Sequence, residues 1–125
     1  MAGKTPGTST PLAPFRVLGA AAVNRREHPG DSRLYYCDQD IDVVVTTMRK
    51  RHVEPPHKHR RNTESYYVVR GSLIMHVEGA VETLGEGDMM VIPPGVCHSF
   101  ETTDEEVCFL AIKKIPLLKD KQPCP

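Results

Sequence analysis

Short β-rich runs separated by glycines and prolines are the feature that most constrains the fold of this chain. The runs cover residues 41–48, 66–69, 73–77, 90–92 and 107–112. Turn residues such as Gly79 and Pro93-Pro94-Gly95 follow them at spacings of roughly 8–12 residues. No segment keeps a 3.6-residue hydrophobic period, so any helix is a minor component. The pattern predicts an all-β sandwich or barrel.

The two ends of the chain differ in composition from this patterned region. Residues 1–14 hold three prolines, two glycines and four Thr or Ser residues, and the segment 119–125 is similar in character. Segments of this kind bury too little apolar surface to order themselves. With 125 residues the chain has the size of one domain. We therefore expect one domain over 15–118, with flexible tails over 1–14 and 119–125.

Charge balance and cysteine spacing set the expectations for partners and location. The 16 basic and 16 acidic residues give a formal net charge of zero, which offers no general attraction for nucleic acid or a membrane surface. No stretch approaches the roughly 20 apolar residues of a membrane span. The four cysteines are far apart and form no C-x-x-C pair. This spacing favours free thiols in a reducing, cytoplasmic location.

Two histidines and a glutamate give the strongest local signal for chemistry. His57 and His59 stand two residues apart, so on a strand both rings point to the same face. Glu64 follows five residues later, and a short loop could bring its carboxylate back to the rings. Two imidazoles and one carboxylate are typical of non-haem iron sites, although Mn, Ni and Zn accept the same donors. The alternative is a solvated basic strand, because basic residues at 49–51 and 60–61 flank it.

The wider spacing resembles the two signature motifs of the cupin family over roughly residues 41–113. The first motif comprises His57, His59, Glu64 and Gly71, and the second comprises Gly87, Pro93, Gly95 and His98. Two positions depart from the family pattern. Arg51 stands where the first motif usually has glycine, and Thr102 stands where the second usually has asparagine. Neither position is a metal ligand in the family, so the departures loosen only the assignment to a subfamily.

The resemblance implies a double-stranded β-helix, the jelly-roll barrel of cupins, built around one divalent metal. Carried over by position, the ligands are His57, His59, Glu64 and His98. Four ligands leave one or two coordination positions open, as at a catalytic metal site. Iron or manganese is the favoured ion, with zinc or nickel as alternatives. The resemblance also implies a homodimer, since small cupins often pair through sheet edges.

Strand alternation extends the prediction to the pocket around the metal. The expected lining residues are Tyr66, Met90, Ile92 and Phe100. Core packing is the simpler role for the last three. Tyr66 shares the face of Glu64 and is the candidate catalytic residue, because a phenol beside a metal can donate a proton.

The remaining histidines and the cysteine of the second motif lack such spacing. His28, His52 and His76 are expected at the surface. Cys97 adjoins His98 but should face the other way, because neighbouring residues of a strand point to opposite faces.

Family resemblance leaves several functions open, since one fold hosts many reactions. The expected function is a metal-dependent enzyme, with an oxygenase of the dioxygenase type ranked first. The alternatives are a redox-neutral isomerase, cyclase or lyase, and a non-catalytic small-molecule sensor. In each case the ligand should be a small molecule that offers an anionic oxygen donor, because three neutral imidazoles and one carboxylate leave a divalent ion with net positive charge.

Overall fold

The computed structural model describes residues 14–19, 22–25, 30–115 and 120–125, and these residues form eleven β-strands and no α-helix. The strands are β1 (Val23–Arg25), β2 (Asp31–Cys37), β3 (Ile41–Met48), β4 (His57–His59), β5 (Thr63–Arg70), β6 (Leu73–Val77), β7 (Ala80–Leu84), β8 (Met89–Ile92), β9 (His98–Thr102), β10 (Val107–Lys114) and β11 (Lys121–Pro123). Within this described part, no helix has the length and apolar character needed to cross a membrane.

The strands form two antiparallel sheets. One sheet has six strands in the order β1-β2-β3-β10-β5-β8, and the other has five in the order β11-β4-β9-β6-β7. Neighbouring strands are often distant in sequence, as where β10 lies between β3 and β5. This architecture confirms the predicted all-β fold and is that of a jelly-roll β-barrel.

Alternating burial along the strands shows which faces enclose the barrel interior. In β3 every second residue is buried, and β5 and β10 alternate in the same way. Several side chains are fully buried and fill one end of the barrel; they are Met48, Val68, Leu73, Met75 and Val107. Each such side chain contributes roughly 1.5–3 kcal/mol through burial. These side chains belong to one buried apolar cluster that also includes Tyr66, Phe100 and Phe109.

All three motif glycines occupy backbone conformations that other residues rarely adopt, and two of them, Gly71 and Gly95, lie in turns that position the site. Gly71 lies between β5 and β6 with φ of 86°, and a Cβ atom there would stand 2.7 Å from the Glu106 carbonyl oxygen. Gly95 has φ of 81° in the turn before β9. A side chain at either position would strain the turn. The Gly95 amide also donates a hydrogen bond to the His59 carbonyl, so this turn is fixed against β4.

Residues 120–125 correct the expectation of a flexible tail over 119–125, of which residue 119 lies outside the described residues. Lys121–Pro123 form β11, which pairs antiparallel with β4 and thereby extends the second sheet. The buried Asp120 carboxylate accepts hydrogen bonds from the amides of Arg61 and Asn62, in the loop that joins β4 to β5. These long-range pairings order a segment whose own composition would not order it. Residues 1–13 of the expected N-terminal tail lie outside the described residues.

A disulfide corrects the expectation that all four cysteines are free thiols. Cys97 and Cys124 are bonded, with their Cα atoms 6.0 Å apart. The spacing of the cysteines in the sequence does not predict this disulfide. Cys124 directly follows β11 and Cys97 lies in the turn before β9, and these two segments meet only in the folded barrel. The disulfide removes the basis for the cytoplasmic location, which rested on unpaired cysteines. Cys108 is a free thiol.

Candidate metal centre

Three strands bring the four expected metal ligands together at the polar end of the barrel. His57 and His59 come from β4, Glu64 from β5 and His98 from β9, and His57 lies directly opposite His98 in the sheet register. One ligand atom of each residue lies within 4.8 Å of the others. All four residues are buried, with exposures between 2% and 6%. The alternative of a solvated basic strand is therefore wrong for the inward face of β4.

Backbone carbonyls fix the orientation of two of the rings. His57 Nδ1 donates to the Pro55 carbonyl at 3.2 Å, and His98 Nδ1 donates to the Val96 carbonyl at 2.9 Å. With the proton on Nδ1, the Nε2 atom of each ring carries a lone pair. Such backbone contacts to the second nitrogen are usual for histidines that bind metals.

The contacts of Glu64 provide a test of whether a cation fits this site. Its Oε1 atom lies 3.1 Å from His59 Nε2 and 3.3 Å from His98 Nε2. Because the carbonyl of Val96 places the His98 proton on Nδ1, the neutral ring turns a lone pair toward the carboxylate oxygen. Two acceptors at this distance are stabilised by a cation between them. The donor set of three imidazoles and one carboxylate suits a divalent ion of the Fe, Mn, Ni or Zn group.

The protonation states of the site agree with metal binding near neutral pH. Burial lowers the pKa of His57 to about 4, so its ring is neutral at pH 7. Burial alone would raise the pKa of Glu64, but its hydrogen bond with His59 and the charge of Lys113 hold that pKa well below its usual range. Metal ions bind neutral imidazoles and ionised carboxylates.

The lowered pKa of His57 leads to a prediction for the metal-free protein. Between pH 6.5 and about 4 the unfolded chain protonates His57, whereas the folded protein keeps this ring neutral. The free energy of unfolding should therefore fall as the pH drops through this window. Urea denaturation of metal-free protein across this range measures the fall, and His57→Gln should make it smaller. An equally steep fall in the variant would contradict the lowered pKa of His57 in the folded protein.

A cavity of about 80 Å³ is lined by three of the four residues, His57, His59 and Glu64. Two of the expected lining residues, Tyr66 and Phe100, line it. Burial and the neighbouring Glu64 and Glu54 carboxylates raise the pKa of Tyr66 well above its usual range, so the phenol keeps its proton. The other two expected lining residues pack in the core of the described barrel instead, with Ile92 buried and Met90 partly buried against it.

Three charged cavity residues were missed by sequence reasoning: Glu54, Lys113 and Lys121. Strand alternation in β10 could have placed Lys113 in the interior, because Lys113 shares the face of the buried Phe109 and Ala111. No local signal marks Lys121, since β11 resembles a flexible tail in composition. Glu54 precedes two prolines in a segment without a regular strand pattern.

The histidines outside the cluster divide between the interior and the surface. His52 is 9% exposed, with its Nε2 atom 3.5 Å from Glu54 Oε2, so the expectation of a surface position is wrong. His76 is partly exposed beside Glu101 on the outer face of the sheet, as predicted. His28 lies outside the described residues. Cys97 forms the disulfide described above.

Comparison with protein families matches residues 44–113 to the model described as a cupin domain. An uncharacterized protein from Aquifex aeolicus (strain VF5) is 36% identical over 59 residues. That match covers 47% of this chain and 49% of the relative, so the chain aligns with about half of that protein's length.

Solved structures share the fold at low sequence identity. KdgF from a Halomonas species has a TM-score of 0.76 at 19% identity, over 84% of this chain and 96% of its own. A variant of Streptomyces Pac13 with uridine has a TM-score of 0.74 at 17% identity, over 89% and 90%. A variant of oxalate decarboxylase from B. subtilis has a TM-score of 0.70 at 20% identity, over 84% of this chain and 31% of its own. At these identities the similarity establishes the fold alone.

Proposed function

The chain belongs to the cupin family, and we propose that it is an enzyme that uses one divalent metal, held by His57, His59, Glu64 and His98, to act on a small anionic substrate. The observation that carries this proposal is the buried group of three imidazoles and one carboxylate beside a cavity. A bound divalent ion would act as a Lewis acid on an oxygen of the substrate, and iron or manganese would also supply redox chemistry.

The charges around the cavity favour an anionic substrate. Glu54 and Glu64 contribute two negative charges, and Lys113 and Lys121 contribute two positive charges. These four charges cancel, the imidazoles are counted as neutral, and the net charge is therefore that of the divalent ion. An oxygen anion such as a carboxylate or enolate matches such a site electrostatically. Among the structural relatives, Pac13 has been solved with uridine and is described as a nucleoside dehydratase.

The apolar and polar residues of the cavity have distinct roles in this proposal. Phe100 and Phe109 are buried apolar residues in the cavity lining, and their role would be to limit the access of water to the substrate. Tyr66 keeps its proton and can therefore donate a hydrogen bond to the substrate, as expected from its position beside Glu64. Lys113 lies opposite both Glu64 and Asp42 in the sheet register, where its charge favours the ionised form of Glu64.

Two reaction classes follow from the proposal. A redox-neutral isomerase, cyclase or lyase is supported by the several side chains in the cavity lining that can accept or donate a proton, namely Glu54, Tyr66, Lys113 and Lys121. An oxygenase, ranked first from the sequence, is supported by the donor set, which suits iron or manganese. Oxalate decarboxylase from Bacillus subtilis, a structural relative, has Mn(II) centres.

One experiment tests the proposed function and separates the two classes. Protein reconstituted with Fe, Mn, Zn or Ni is incubated with a panel of small carboxylates and 2-oxo acids. Oxygen uptake and product formation are followed in parallel. Metal-dependent turnover without oxygen uptake supports the redox-neutral class, and turnover with stoichiometric oxygen uptake supports an oxygenase. Selective binding without turnover by any metal form would instead favour a sensor.

We also propose the homodimer expected from the family resemblance, formed through the outer face of β5 and β8. Val69, Met89 and Val91 are exposed there by 50%, 52% and 56%. Neighbouring exposed apolar side chains favour association. The double variant Met89→Lys/Val91→Lys should shift the protein from dimer to monomer in size-exclusion chromatography with light scattering. Val81→Lys, on the other sheet, is the matched control. A monomeric wild-type protein would contradict the proposal.

A further inference from the structure

A second buried carboxylate lines the cavity outside the four-residue cluster. Glu54 is only 4% exposed, yet it lines the same cavity as His57 and Glu64. We propose that Glu54 is a catalytic residue that accepts a proton from carbon, and that the substrate is a small enolisable oxo-carboxylate. This inference rests on the proposed function, because it assumes a metal-bound anionic substrate in this cavity.

Backbone hydrogen bonds hold Glu54 in place. The Glu54 amide donates to the Phe100 carbonyl at 2.9 Å, and Val53 forms a β-bridge with Glu101. Two residues earlier, the His52 amide donates to Thr102 Oγ1 at 2.6 Å, and the Thr102 amide donates to the His52 carbonyl at 2.9 Å. Residues 52–54 therefore run along β9, the strand that carries His98. Because this backbone pairing holds residues 52–54 against β9, it fixes the position of the Glu54 backbone relative to the metal ligand His98.

The charged neighbours of Glu54 suit an ionised base. Lys121 Nζ lies 3.5 Å from Glu54 Oε1, and His52 Nε2 lies 3.5 Å from Oε2. Tyr66 is the third titratable neighbour, since the Glu54 charge acts on its phenol. A positive charge nearby compensates the cost of burying an ionised carboxylate. Both separations exceed the 2.7–2.9 Å or so of a tight charge-assisted hydrogen bond.

The proposed step conserves atoms and electrons without any further reagent. The hydrogen on the carbon next to the substrate carbonyl moves as a proton to the Glu54 carboxylate. The electron pair of the broken C–H bond moves into a new C–C double bond, and the carbonyl π pair moves onto its oxygen. The resulting enolate carries the anionic oxygen that the positively charged site favours. Where the enolate is conjugated with a further double bond, return of the proton to the far carbon completes an isomerisation. Departure of a leaving group, with its bonding electrons, from the carbon next to the new double bond completes an elimination.

Deuterium exchange tests this step without knowledge of the natural substrate. Zinc-loaded protein in D2O is incubated with pyruvate, 2-oxobutanoate or acetoacetate, and loss of the proton signal next to the carbonyl is followed by NMR. The wild-type protein should accelerate exchange of at least one probe. Glu54→Gln should reduce this rate by about a hundredfold or more, in line with the usual contribution of a general base. Glu54→Asp, which keeps the carboxylate, should retain part of the rate.

Controls separate a catalytic role from a structural one. Glu54→Gln should leave zinc affinity and melting temperature close to wild type. Glu101→Gln, which alters a partly exposed carboxylate on the outer face, should leave the exchange rate unchanged. Failure to bind zinc would refute the proposed metal site itself. Zinc binding without accelerated exchange of any probe would overturn the inferred substrate class, and equal rates in wild type and Glu54→Gln would overturn the role of Glu54.

Discussion

Replacement of His98 by alanine is expected to lower the affinity for a divalent metal by more than about a hundredfold, because loss of even an indirect partner of a metal ligand costs 10–100-fold. His98 is central to the cluster, since its side chain is fully buried and its Nε2 atom contacts Glu64. The variant removes one imidazole donor and leaves Glu64 with one contact fewer.

The same variant should keep the β-rich fold. The fully buried apolar side chains at the opposite end of the barrel are untouched by the change. Circular dichroism should therefore be close to wild type, while competition against a chromophoric chelator reports the lost affinity. His76→Ala is the matched control, because His76 lies on the outer face of the neighbouring strand. A His98→Ala affinity within about threefold of wild type would contradict its assignment as a ligand.

Loss of the disulfide is expected to lower the free energy of unfolding substantially. Cys97 and Cys124 are 27 residues apart in sequence, and closing a loop of that length in the unfolded chain is worth about 3.5 kcal/mol by the chain-entropy relation. Reduction, or the variant Cys124→Ser, should lower the free energy of unfolding by about this amount. Urea denaturation with and without a reductant measures it.

The disulfide also helps to hold one of the residues that line the cavity. The disulfide ties β11 to the turn before His98, and β11 carries Lys121 at the cavity. Once the bond is reduced, β11 is held by its pairing with β4 and by the hydrogen bonds of Asp120. Cys108→Ser serves as the control, because Cys108 is a free thiol. Equal stability of the oxidised and reduced protein would show that the disulfide does not constrain the chain in solution.

The all-β class and the grouping of His57, His59 and Glu64 were predictable because their signals are local, whereas the jelly-roll barrel and the inclusion of His98 followed from the resemblance to the cupin motifs. Alternation along a strand decides which side chains face inward, as for Glu64 and Tyr66 on β5. Motif spacing placed His57 and His59 on one face and His98 after a tight turn. In each case a few neighbouring residues carry the information.

The remaining features depend on contacts between distant segments. Composition at the C-terminus predicted a flexible tail, but pairing with β4 and the buried Asp120 order it. The disulfide joins residues that only the folded barrel brings together. Glu54 enters the cavity because residues 52–54 follow β9, a pairing between positions nearly fifty residues apart that no local pattern reveals.

Elemental analysis by mass spectrometry of untagged protein tests the metal-centre account most directly, with the double variant His57→Ala/His59→Ala as its control. The account predicts about one equivalent of a divalent transition metal in the wild-type protein, and less than about a tenth of an equivalent in the variant, because two of its four donors are gone. The nature of the ion would direct the search for activity. Wild-type protein that contains no metal, and that binds none on reconstitution, would contradict the account.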